Sequence, residues 1–422
     1  PGSDVPVWLI DQPQYFDREG LYNSAGQDYP DNAERFTFFS HAAIQLMRRL
    51  EKPIDVVHCN DWQTGLVPAL LKIFPWESSE SSGEHRITPK TVMTIHNMAY
   101  QGVFPKSTFE MIGVGWEHFR SDEFEFYDQV NYLKVGLAMA DQVTTVSPSY
   151  SHEIRTPQQG CGLDGLLNAK GDDRVTGIIN GIDTEIWNPS TDPHLTRNYS
   201  VDSWRTGKEA NKMSLQADFG LTIKADIPVL GLVGRLASQK GWDLILPVLR
   251  QHLEEQRPTQ WMILGSGDPA IEAELTQLHQ RFPGQLGLHV GFSNALAHRI
   301  EAASDFFVMP SHYEPCGLNQ LYSLRYGTVP IVTPTGGLAD TVVHCNPESI
   351  ASGTATGFHL DQPTSVSLEQ TINQALRMMY HDRVAFDAMV TTGMRQDWSW
   401  QQSAAHYVDL YESLVGAVIA PN

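Results

Sequence analysis

Two cations stand five residues apart in the run Gly234-Arg235-Leu236-Ala237-Ser238-Gln239-Lys240-Gly241, directly after the apolar stretch Val229 to Val233. A strand that runs into such a turn sets fixed positive charge at the carboxyl edge of a sheet, where a diphosphate would sit. A solvated loop with two surface cations is the plain alternative, so the neighbouring loops must decide. Ser311 to Leu321 follows another apolar run, Phe306 to Met309, and carries Glu314 ahead of the helical pattern Gly317 to Arg325. Its carboxylate and a helix amino terminus converge there, either on a ligand or as a helix cap. Thr333 to Thr341 again follows a strand pattern, and its adjacent Gly336 and Gly337 let backbone N–H groups approach an oxyanion closely. Gly-Gly alone signals only a turn, but three such loops after successive strands compose a nucleotide-sugar site.

The first half supplies two further loops. Thr94 to Gly102 contains His96 and Asn97 at the end of a strand pattern, and His58 to Gly65 places Asp61 beside Trp62. An indole next to hydrogen-bonding groups suits a sugar ring, whose C–H face is apolar and whose edge is polar. A structural histidine and a core tryptophan are the competing readings.

These loops need parallel sheets to present them. Apolar runs alternate with amphipathic stretches, the pattern of β-α units. Strands are predicted at Val7–Ile10, Ile54–His58, Thr91–Ile95, Gln142–Val146 and Val175–Ile179. A second series is predicted at Pro228–Val233, Trp261–Leu264, Leu288–Val290, Phe306–Met309 and Val329–Val332. A helix over Glu34–Leu50 is expected to bury Phe38, Ala42, Leu46 and Leu50. Trp76 to Pro89 reads as a solvated loop and Asn188 to Asn211 as irregular. The expected organisation is a first domain over 1–180, a second over 181–398, and a helix within 399–422 that caps the second domain or crosses back to the first. Two doubly wound α/β domains would set a ligand cleft at the carboxyl ends of their sheets.

Composition narrows the partners. With 422 residues, 41% of them hydrophobic, the chain can build more than one core. A formal charge of −20, without a dense Lys/Arg stripe, argues against nucleic acid. A few cations focused in a cleft can still dominate the field around an anionic nucleotide. Four scattered cysteines without a CxxC pair indicate neither disulfides nor zinc, and the sixteen histidines show no HExxH spacing. No metal or cofactor is expected. The chain has no apolar run of membrane-spanning length, and Pro1 to Pro6 lacks signal-peptide regions. It reads as a soluble protein that does not bind membranes, in a reducing, cytoplasmic compartment.

Taken in order, Asp61-Trp62, His96-Asn97, Asn180 to Asp183, Arg235 to Lys240, Gly265 to Asp268, Glu314 to Gly317 and Thr335 to Thr341 resemble the motifs of bacterial glycogen synthases and plant or algal starch synthases. The resemblance covers nearly the whole chain. It implies a GT-B fold, two Rossmann-like domains around an interdomain cleft, and retaining, metal-independent transfer of glucose from ADP-glucose. The acceptor would be the nonreducing 4-hydroxyl of an α-1,4-glucan. Arg235 and Lys240 then look like the pair that binds the diphosphate, Glu314 like the glucose-contacting carboxylate, and His96 like the residue bordering the reacting carbon. Asn180, Gly234, Cys316, Gly317, Leu318, Asn319, Gly336 and Gly337 would line the donor, and Asp61, Trp62 and Asn97 would face the acceptor. Localisation follows the resemblance to a bacterial cytoplasm, with plastid stroma or the starch granule as the alternative.

Two departures from the family pattern are visible. No Lys-x-Gly-Gly-Leu loop stands before Asp61, so the first domain is expected to be incomplete at its start. Phe292 occupies a place where Tyr is common, and would stack on the adenine without a hydroxyl. Three other readings compete with this one. A catalytically silent glucan-binding scaffold fits the missing loop, a phosphorylase would use pyridoxal phosphate in a longer chain, and a glycoside hydrolase would need two opposed carboxylates.

Overall fold

The structure is a computed structural model and describes residues 5–24, 26–50, 53–75 and 88–416. The solvated loop expected around Trp76 to Pro89 lies largely outside them, over 76–87. The chain divides into two compact units. The first comprises 1–146, 151–178 and 407–422, and the second comprises 147–150 and 179–406. The division therefore falls two residues before the 180/181 boundary read from sequence. The helix Trp400–Val415 starts in the second unit and passes its last residues to the first.

The second unit is built on six parallel strands in the order Leu286–Val290, Gln260–Gly265, Val229–Val233, Phe306–Met309, Val329–Val332, Phe358–His359. Numbered along the chain this order is 3-2-1-4-5-6, a doubly wound sheet whose direction of travel reverses between Val229–Val233 and Phe306–Met309. Successive side chains on a strand point to opposite faces, and both faces are buried. Leu230, Leu232, Trp261, Ile263, Phe306, Val308 and Ile331 pack into one large cluster with residues from Trp242–Glu254 and Ser365–His381. The alternate residues Val229, Met262 and Leu264 pack with Leu215 and Ile300 on the other face. Lys208 ties that second layer together, because its buried ammonium donates to the carbonyls of Glu301, Ala302 and Tyr326 and to the Thr328 hydroxyl.

The first unit contains a four-stranded parallel sheet in the order Val56–Asn60, Lys90–Ile95, Gln142–Thr145, Val175–Gly177. A small antiparallel sheet of Val103–Pro105, Gln129–Asn131 and Glu125–Phe126 lies elsewhere in the unit.

Three expectations are corrected, and one strand lies where none is predicted. Val7–Ile10 forms no strand, and Val7 and Leu9 are 78% and 89% exposed. A strand exists through its ladder partner, and an apolar tetrapeptide does not supply one. The long helix runs Asn32–Arg49, but Phe38, Ala42, Leu46 and Leu50 are only half-buried. Its buried face is Ala33, Phe36, Thr37, Ser40 and Ile44, with the hydroxyls satisfied at the Tyr132 hydroxyl and the Phe36 carbonyl. The stretch read as irregular up to Asn211 is already helical from Trp204. Phe358–His359, too short to register as an apolar run, completes the sheet edge.

Candidate functional site

Every candidate loop of the second unit leaves the carboxyl end of a strand. The crevice at the reversal point is flanked by the loop after Val229–Val233, which carries Gly234, Arg235 and Lys240, and by the loop after Phe306–Met309, which carries Glu314. These two loops meet. Lys240 Nζ lies 2.6 Å from Glu314 Oε2, and the Ser311 hydroxyl donates to the same carboxylate at 3.0 Å. Glu314 is buried, so its charge is held by a cation and a hydroxyl rather than by bulk water. Gln239 connects the loops again, with Nε2 on the Tyr313 carbonyl, its own carbonyl accepting from His312 N, and Oε1 accepting from the exposed Arg235 guanidinium at 3.1 Å. Asn319 donates to the Val233 carbonyl at 2.5 Å, which fixes the amino end of Asn319–Tyr326 against the first strand. Gly234, Arg235, Lys240, Ser311 and Asn319 line one pocket.

The third loop joins through its glycines. Gly337 N–H donates to the Glu314 carbonyl at 3.0 Å. A Cβ at Gly336 would lie 2.0 Å from the Glu314 carbonyl oxygen, and one at Gly337 would lie 2.0 Å from that of Cys316. Gly336 also has φ +46, where only glycine is unstrained. Both glycines are thus required for the Glu314–Gly317 turn to lie against the helix Gly336–Thr341. Burial pushes the Cys316 thiol up to about 12, with the Asn180 main-chain hydrogen bond opposing it, so the sulfur stays protonated and Asn180 is placed beside this turn. Leu318 is exposed and Gly317 half-buried on the same turn. Phe292, after Leu286–Val290, is 91% exposed, with its ring presented to solvent. Asp268, from the remaining motif, is a helix cap whose carboxylate accepts from Ala270 N.

In the first unit, Asp61 and His96 are joined. Asp61 Oδ1 accepts from His96 N at 2.8 Å, and His96 Nε2 lies 2.9 Å from Asn60 Oδ1. Asp61 has φ 55 and ψ −178, a sparsely populated backbone held by its N–H on the Thr94 carbonyl. Burial raises its carboxyl, and the amides of His96 and Asn97 pull it back. Asp61 therefore acts first on the main chain of the His96 loop. The Asn97 side chain closes its own turn by accepting from Ala99 N. Trp62 does not offer a sugar platform: it is 8% exposed and packs edge-on against Phe36 and Phe104, at 4.8 and 5.7 Å between ring centroids. The core reading of this indole is the one the structure supports.

Ser311 and Gln239 were not singled out from sequence, although both lie within the quoted loops; their roles emerge only from the partner loop. Asp340 likewise receives the amide and hydroxyl of Ser149, and Ser147 donates to the Pro315 carbonyl, which anchors the excursion 147–150 to the second unit. No local signal in the sequence marks that pairing.

The model of the starch synthase catalytic domain matches residues 1–169, and that of glycosyl transferases group 1 matches 216–386. A glycogen synthase of Rhodopirellula baltica is 57% identical over 97% of this chain and 80% of its own length. The chain belongs to the glycogen and starch synthase family. A second glycogen synthase, from Hydrogenovibrio crunogenus, is 47% identical over 98% of the chain and 84% of its own. The catalytic domain of starch synthase IV from Arabidopsis thaliana, solved with ADP and acarbose, superposes with a TM-score of 0.85 at 34% identity, covering 96% of this chain and 81% of that one. Sucrose-phosphate synthase of Thermosynechococcus elongatus, at 19% identity and TM-score 0.57, shares the fold, which is GT-B. This glucan synthase is accordingly a glycosyltransferase.

Proposed function

We propose that the crevice between Val229–Val233 and Phe306–Met309 holds the diphosphate of ADP-glucose, and that the chain transfers its glucose to the nonreducing 4-hydroxyl of an α-1,4-glucan with retention and without a metal ion. The observation that carries this reading is the Lys240–Glu314 contact at the reversal point of the doubly wound sheet, with Arg235 on the same loop. Breaking a glycosyl phosphate bond builds negative charge on the departing phosphate and positive charge on the sugar carbon. Fixed cations at the phosphate lower that barrier without reorganising. Lys240 has three N–H donors and gives one to Glu314, leaving two for oxyanions. Arg235 offers a planar fork. Glu314, anchored by Lys240 and Ser311, has lone pairs left to accept from sugar hydroxyls.

Adenine as the donor base is supported by the ADP bound to starch synthase IV, and a glucan acceptor by the acarbose beside it. Phe292 is the stacking platform for the base. Asn180, placed beside the Glu314–Gly317 turn, contacts the glucose. A cytoplasmic setting fits the bacterial relatives. Among the described residues no helix is long and apolar enough to cross a membrane.

The test is incorporation of labelled glucose into a glycogen primer, with ADP-glucose and UDP-glucose compared. Transfer from ADP-glucose that is lost in Lys240→Ala is expected. Transfer undiminished in that variant would overturn the assignment of the crevice.

A further inference from the structure

We propose that the second unit carries a separate binding site for a phosphomonoester dianion, in the cavity lined by Thr184, Arg325, Arg395, Gln396, Asp397 and Trp398. The cavity has a volume of about 200 Å³ and shares no lining residue with the Arg235–Lys240 pocket. It exists because two distant segments are zipped together. Ile182 N–H donates to the Trp398 carbonyl at 2.8 Å, and Ile182 pairs with Ser399 as an isolated parallel bridge. That pairing sets 182–184 beside the turn 395–398, next to the last helical turn of Asn319–Tyr326, which bears Arg325.

The donors there exceed the acceptors. Arg325 Nε is buried and has no hydrogen-bond partner. Arg325 helps to lower the carboxyl of Asp397, after that carboxylate's hydrogen bonds to Ser399 and Gln402. The nearby acids are already engaged with neighbouring groups. Asp397 accepts from Ser399 N at 2.9 Å and from Gln402 Nε2 at 3.2 Å, and Asp183 accepts from the amides of Glu185 and Ile186. The carbonyl of Gln396 accepts the Trp398 indole N–H, which leaves its NH₂ to donate. Two arginines, Gln396 and Thr184 thus line one cavity with a single carboxylate, Asp397, in a chain whose formal charge is −20.

Both arginines lie in the last turn of a helix, where the macrodipole favours a cation. That accounts for the charge, and it leaves the terminal N–H groups of both arginines, rather than the buried Arg325 Nε, to meet a ligand. A tetrahedral, doubly charged oxyanion matches the terminal N–H groups of the two guanidinium forks, since its oxygens accept. The half-buried Trp398 ring gives the organic part of a phosphorylated sugar an apolar surface, while free phosphate would use the forks alone.

The proposal is independent of the donor assignment, and the test separates them. The chain, with excess ADP present, is titrated calorimetrically with inorganic phosphate and separately with glucose 1-phosphate. One saturable site is expected, weakened roughly tenfold or more by Arg325→Gln and by Arg395→Gln and unchanged by Lys240→Ala. Tighter binding of the sugar phosphate identifies an organic ligand, and equal binding identifies free phosphate. Circular dichroism without phosphate checks that each variant is folded; one that is not is replaced by its Arg→Lys counterpart, for which a smaller weakening is expected. Absence of saturable binding, indifference to both arginine variants, or loss in Lys240→Ala would overturn the site.

Discussion

Lys240 is the residue on which the most chemistry converges, because it touches Glu314 and faces the crevice with its remaining protons. Lys240→Ala is expected to lower kcat/KM by roughly 10²- to 10³-fold, the scale of a lost oxyanion donor, in the glucose incorporation assay. Arg235→Lys keeps the charge but loses the fork, and should cost roughly tenfold in the same measurement. Trp62 makes a prediction of the opposite kind. With its indole among Phe36, Phe104 and Tyr22, Trp62→Ala should lower unfolding stability by about 3–5 kcal/mol in a denaturant titration. The contrast shows what residue types reveal and what they hide. Arg235, Lys240 and Glu314 stand out only as a set, because three loops after successive strands carry them, whereas each alone reads as a surface cation or a helix cap. Trp62 was ambiguous because an indole suits a sugar and a core equally, and only its neighbours decide.

At the scale of elements, the Glu314 turn and the helix Gly336–Thr341 are fitted backbone to backbone. Gly337→Ala would drive a Cβ into the Cys316 carbonyl, so the turn must shift and take Glu314 with it. A rise in the KM for ADP-glucose together with a fall in thermal midpoint is expected, with a stability cost of about 1–3 kcal/mol. Calorimetric melting and initial-rate kinetics on the same preparation check both. The glycine pair was legible as a turn, yet the identity of the backbone it touches was not, since that partner lies some twenty residues away. Strands such as Phe306–Met309 and Val329–Val332 were read correctly to the residue because a strand buried on both faces is a continuous apolar run. Val7–Ile10 has the same local composition and forms no strand, for a ladder needs a neighbour that composition does not specify.

For the whole molecule, acid stability follows from groups whose protonation differs between folded and unfolded chain. Burial, reinforced by His96, pushes His58 down from 6.5 to about 4, with its ring nitrogens at Tyr411 and Thr94. The unfolded chain takes up this proton below about pH 6.5 and the folded chain only near 4. The stabilisation is therefore complete above 6.5 and is lost as pH falls towards 4. Glu369 adds a lower window: burial raises its carboxyl, but His252 and Arg257 outweigh that and hold it at about 2, so its contribution is lost as pH falls from 4.5. His58→Asn should flatten the thermal midpoint between pH 6.5 and 4 and leave the lower window intact, as followed by melting across that range.

The path of the chain has a consequence for how the protein is made. Residues 407–416 belong with the first unit, and Tyr411 bonds to His58. A ribosome that releases the chain from its amino end exposes the second unit's residues in one nearly unbroken stretch, whereas the unit that emerges first gains its contacts with 407–416 only after the second has been made.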